Sequence, residues 1–164
     1  MKFKIKKNKH RAWPLQLGLW YNKYALIRRI TFGYGCNYYL SGEDAEDTNK
    51  LFGMSYTLSP HKESVRFGWL YKDGRIQINA YLYRIGFRTI EKLCDVPLGL
   101  MYEYSIIVNS GFYSFKVKNP ANGMVLSQQD FNFTHTKKWS YPLNFFFGGN
   151  KSAPNTMEIE MTNP

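Results

Sequence analysis

With 164 residues, a formal charge of +10 and an apolar fraction of 44%, the chain has enough material to close one hydrophobic core without disulfide or metal staples and too little for two ordinary domains. No apolar run approaches the roughly 18 residues of a membrane span. The start, Met1-Lys-Phe-Lys-Ile-Lys-Lys-Asn-Lys9, has charge but no following hydrophobic stretch, so the expectation is synthesis in the cytoplasm with neither signal peptide nor membrane anchor.

The positive charge is concentrated first in Lys2, Lys4, Lys6, Lys7, Lys9 and Arg11. This segment, residues 1–11 of a single domain spanning 1–164, reads equally as a lysine-protected edge strand and as a binding arm ordered by a partner. Aromatic residues make up 18% of the chain, and such side chains suit pleated sheets. Alternating or apolar runs divided by turn residues predict about twelve strands. They are 3–7, 15–20, 25–32, 51–56, 65–72, 75–83, 87–96, 103–108, 112–118, 124–128, 141–147 and 157–161. The stretch 42–49 carries Glu43, Asp44, Glu46 and Asp47 without an apolar face and is read as an acidic loop. The fold class is all-β, an antiparallel β-sandwich.

Asp73-Gly74 suits a two-residue hairpin loop, and that fixes a register. Pairing Lys72 with Arg75 sets Tyr71 against Ile76, Trp69 against Ile78, Phe67 against Ala80 and Val65 against Leu82 on one face, the core. The opposite face carries Arg66 against Tyr81, Gly68 against Asn79 and Leu70 against Gln77, with Tyr83 extending the row. This polar, aromatic face is expected to meet water, a ligand or another chain. Gly68 is read as marking a bulge before a pocket.

Leu51-Phe-Gly53, Ser59-Pro-His-Lys-Glu-Ser-Val-Arg-Phe-Gly-Trp69, Ile78-Asn-Ala-Tyr-Leu-Tyr83 and Phe147-Gly-Gly-Asn-Lys-Ser-Ala-Pro154 resemble an uncharacterised family met in Bacteroidetes and their phages, crAss-like ones included. That family looks like a concanavalin A-like jelly roll of the laminin G or lectin type. The resemblance spans about residues 3 to 161. It implies a phage-particle component or a glycan-binding module, and it brings no catalytic residues with it.

Chemistry-bearing motifs are sparse. His10, His61 and His135 are dispersed, with no second His or Cys at metal-ligand spacing, so no metal site is expected. His61 and His135 are read as solvated or turn-bonded. Cys36 and Cys94 are expected as reduced, partly buried thiols, with a disulfide as the other reading. Glu158 and Glu160 stand close to 7 Å apart along one strand, wider than the roughly 5 to 5.5 Å of a retaining glycosidase pair, and are assigned to a solvent face. Calcium binding by residues 43–47 stays open, although the loop lacks the D-x-D-x-D-G order.

The expectation is therefore a protein that is not an enzyme, carries no cofactor and serves as a structural component of a bacteriophage particle, in a tail or collar. Its partners would be other virion proteins and further copies of itself. The alternative is a carbohydrate-binding module whose ligand row is Arg66, Gln77, Asn79, Tyr81 and Tyr83. Nucleic acid is disfavoured, since only net charge points to it.

Overall fold

The computed structural model describes residues 1–133 and 135–164; Thr134, placed by the sequence in a loop with His135, lies outside the described residues, as does the side chain of Glu43. The strands are β1 (Lys2–Ile5), β2 (Ala12–Trp13), β3 (Trp20–Tyr21), β4 (Ala25–Phe32), β5 (Asn49–Ser55), β6 (Ser64–Lys72), β7 (Arg75–Arg84), β8 (Phe87–Val96), β9 (Met101–Val108), β10 (Phe112–Lys118), β11 (Val125–Asn132), β12 (Trp139–Leu143) and β13 (Met157–Thr162). Two antiparallel sheets result, ordered β11-β10-β9-β4-β13-β1-β2 and β3-β12-β5-β6-β7-β8. This is the antiparallel jelly-roll sandwich expected from the sequence.

Period-two patterning sets the inner faces. In β10, Tyr113, Phe115 and Val117 are buried while their neighbours are not. In β13, Met157, Ile159 and Met161 point inward, and Glu158 and Glu160 take the solvent side as expected. Rings from the two sheets interlock: Phe67 meets Tyr104 at 5.3 Å and Phe115 at 5.0 Å, and Trp69 meets Phe32 at 5.2 Å. Offset and edge-on ring contacts at these separations add to the apolar burial.

The β6–β7 hairpin has the register read from its turn, from Lys72↔Arg75 to Val65↔Leu82. Asp73 and Gly74 both hold positive φ, 51° and 80°, the conformation of a two-residue turn whose twist matches its strands. Of the eight side chains assigned to the core, all but Tyr71 are buried.

Several expectations are corrected. The basic N-terminal segment is neither an edge nor a free arm: β1 pairs with β13 on one side and β2 on the other, and Phe3 and Ile5 are 1% exposed. Its lysines alternate with these two core residues and so point outward. The strand expected over 15–20 is instead two short strands flanking an open segment, in which Leu17 and Leu19 are exposed. The run 141–147 leaves the strand at Leu143, and the strand expected over 124–128 runs on to Asn132 as β11. The acidic loop forms a 3-10 turn over Gly42–Glu46. Cys36 and Cys94 are both free thiols, as expected, with Cys36 fully buried rather than partly so, and burial pushes each up to about 12.

Candidate functional site

A cleft of about 580 Å³ opens on the outer face of the second sheet, where β5, β6 and β7 run beside the segment 144–150. Its floor follows from strand register. Lys50 lies opposite Gly68, Gly53 opposite Arg66, and Arg66 opposite Tyr81, so Lys50, Arg66 and Tyr81 share the face turned away from the core. Close approach of β5 to β6 requires Gly53: a Cβ there would overlap the Arg66 backbone.

The wall is the run Phe145-Phe146-Phe147. Phe146 exchanges backbone hydrogen bonds with Lys50, N–H to carbonyl at 3.0 and 2.7 Å, and Phe145 O accepts from Ala12 N at 3.2 Å. The run therefore ties β5 to the start of β2, bringing Arg11 to the cleft rim. The buried Asn49 fastens the next residues, its Oδ1 accepting from the Gly148 N–H. The Asn144 amide closes the other end by holding the Gln16 backbone through both its oxygen and its nitrogen.

Arg66 is 8% exposed. Its Nη2 donates to Leu51 O at 2.7 Å and to Asn144 O, while its Nε is buried without an acceptor. Burial brings its pKa down to about 10. Lys50 donates to Gly148 O at 2.6 Å and lies over the Tyr81 and Phe146 rings at 5.6 and 5.8 Å. Burial first, and the Arg66 charge next, lower its pKa to about 8, against the opposing pull of Asp47. Burial pushes the Tyr81 phenol up to about 12. Tyr83, half-buried, stands 5.8 Å from the Tyr81 ring with the exposed His61 edge-on at 5.0 Å.

The five residues singled out from the sequence divide. Arg66, Tyr81 and Tyr83 come together in the cleft. Asn79 is 1% exposed and donates to Thr48 Oγ1 at 3.2 Å while accepting from Gln77 Nε2 at 2.9 Å. Gln77 lines a separate small depression with Lys72 and Lys92. The outer face is thus covered around Asn79 and Leu70 rather than open to water. Gly68 makes no pocket either, since the Thr48 methyl occupies the space its side chain would need. Register irregularities do flank it, on β5 between Lys50 and Gly53 and in the β7–β8 pairing between Ile78 and Asn79.

Lys50, His61, Asn144 and Phe146 escaped sequence reasoning. Phe146 belonged to an apolar run that looks like a continuous strand, and only its backbone bridges to Lys50 and Arg11 reveal it as a wall. His135 also differs from expectation: it packs against Tyr56 at 4.1 Å and Phe133 at 4.6 Å and bonds the Tyr113 hydroxyl, and burial lowers its pKa. Of the acidic turn, Glu46 pairs with Lys72 at 2.8 Å, and among the described residues no three acidic, His or Cys side chains gather as a metal site.

The described lining of the cleft contains no carboxylate, so the paired carboxyls of glycoside hydrolysis are not assembled in it. Its proton-transfer groups are an amine lowered towards neutrality, an imidazole and two phenols, set beside a guanidinium.

No protein-family model and no curated protein matches the sequence. Solved structures do match. One is a protein of unknown function from Saccharomyces cerevisiae, at TM-score 0.57 and 10% identity over 99% of this chain and 88% of that one. An alginate lyase from Pseudomonas aeruginosa gives 0.52 and 12% over 87% and 66%. A glycosyl hydrolase family protein from Mycobacterium fortuitum gives 0.51 and 10% over 97% and 71%. At these identities the likeness is one of fold. It nevertheless corrects the expectation that the chain is not an enzyme: polysaccharide lyases and glycoside hydrolases share this fold, and the want of a known motif is no ground for excluding catalysis. Nothing in the comparisons ties the chain to the Bacteroidetes and phage family that its sequence resembles; the jelly-roll sandwich is what stands.

Proposed function

We propose that this protein binds a polysaccharide in the cleft formed by β5, β6, β7 and the 144–150 segment. The carrying observation is the construction of that cleft: half-buried aromatic planes, Tyr83 and Phe146, flank a floor of hydrogen-bonding side chains in a space of about 580 Å³. A sugar ring offers an apolar face to stack and hydroxyls to orient, and a concave site with few polar groups meets both needs. The fold is also that of an alginate lyase, which supports a glycan as ligand. A role in a phage particle rests on the sequence resemblance alone, and no feature of the cleft calls for it.

The test is retention of the wild-type chain on a polysaccharide array, alongside Tyr83→Ala and Phe146→Ala. Each substitution removes one stacking plane and should weaken retention about tenfold while the thermal midpoint stays nearly fixed. Sizing the retained polymer after incubation reads cleavage in the same sample. A wild-type chain that retains no polysaccharide would overturn the proposal.

A further inference from the structure

Resting on the glycan reading, we infer that the ligand is an acidic polysaccharide, whose carboxylate or sulfate groups are held by Arg66 and Lys50. The observation is an excess of cationic charge inside the cleft that no ion pair among the described residues offsets. Arg66 is more than nine-tenths buried, and its Nη2 group is spent on two carbonyl oxygens. Its Nε has no acceptor. Among the described residues neither Arg66 nor Lys50 forms an ion pair, although both face the same space. Asp47, the acidic group that acts on Lys50 electrostatically, does not line the cleft. Arg11 and His61 add further donors at the rim.

Burying two like charges without a counter-charge is unfavourable, and an unmet donor on a buried cation adds to the cost. A purely structural arginine would account for the two carbonyl bonds but not for a second cation lining the same cleft. An anionic group entering the cleft would lie beside the Arg66 guanidinium and the Lys50 ammonium together, where charge-assisted hydrogen bonds favour it. The flanking rings would take the sugar face. A neutral glycan would satisfy the rings and leave the charges as they are.

The experiment is calorimetric titration of the full chain with a short oligouronate, its carboxyl-reduced neutral counterpart, and a sulfated oligosaccharide of equal length. Because the protein is strongly basic, Lys50→Gln is compared with Lys6→Gln, which removes the same charge from an exposed position outside the cleft. The oligouronate or the sulfated sugar should bind the wild type at least about tenfold tighter than the neutral one, the scale of one charge-assisted hydrogen bond. Lys50→Gln should remove most of that preference and Lys6→Gln should leave it. Which acidic sugar binds tighter tells carboxylate from sulfate. Equal binding of neutral and acidic sugars would sink this inference and keep the glycan reading, whereas no binding of any sugar would sink both. Equal losses in the two lysine variants would reduce the preference to general charge attraction and overturn the assignment to Arg66 and Lys50.

Discussion

Trp69 is fully buried at the centre of the sandwich, 5.2 Å from Phe32 and 5.9 Å from Tyr38. Trp69→Ala should cost about 3 to 5 kcal/mol in chemical denaturation, because the surrounding rings, Phe32 on β4 and Tyr38 and Phe147 in connecting segments, relax only partly into the space. Trp69→Phe should lose less, since the indole N–H it removes has no acceptor. A loss below about 1 kcal/mol for the alanine variant would mean that the residue does not sit in the core. Lys50 gives a second residue-scale prediction, through proton linkage. Its folded pKa of about 8 lies below the ordinary 10.5, so between those values the unfolded chain holds a proton that the folded one has lost. Stability from this group therefore rises with pH across that window. Comparing wild type with Lys50→Met cancels the tyrosines and cysteines that titrate nearby. The wild type should gain on the variant as pH climbs from 8 to 10.5, and a flat difference would mean that Lys50 is not desolvated.

At the scale of elements, β1 decides how the basic segment behaves. It occupies an interior place in its sheet, and Phe3 packs 4.5 Å from Phe145. Deleting residues 1–11 should therefore leave β13 unpaired along one side and prevent folding, read as loss of near-ultraviolet circular dichroism. A truncated chain with native spectra would contradict this place for β1. Glu158→Gln, on the outer side of β13 where it pairs with the exposed Lys4, should leave both fold and glycan retention unchanged. The hairpin was legible because a two-residue turn fixes every pairing after it, and alternation then assigns the faces. What the sequence withheld follows from longer connections. No turn chemistry sets β5 against β6, whose register breaks at Leu51 and Phe52, so Lys50 had no readable partner. Nor does local pattern show that Thr48 would cover Asn79, which turned an expected open row into a partly closed one. Six lysines and arginines in eleven residues looked like a solvated arm because the charges are conspicuous and the two inward-facing residues between them are not.

At the scale of the whole molecule, the two sheets meet along the Phe145–Phe147 run, which is bonded to both. The cleft lies against that seam, so its geometry depends on the packing of the sandwich as a whole. The net charge is positive and the cleft itself holds cations, and acidic glycan binding should accordingly weaken as salt screens the approach. The most direct measurement is a nuclear magnetic resonance titration of isotope-labelled protein with the oligosaccharide that binds best. The account predicts shifts concentrated at Lys50, Ser64, Tyr83, Phe146 and Gly148, with the outer face of β9, β10 and β11 unmoved. Saturable shifts clustered on that other sheet, or on the exposed 15–21 segment, would contradict the placement of the binding site.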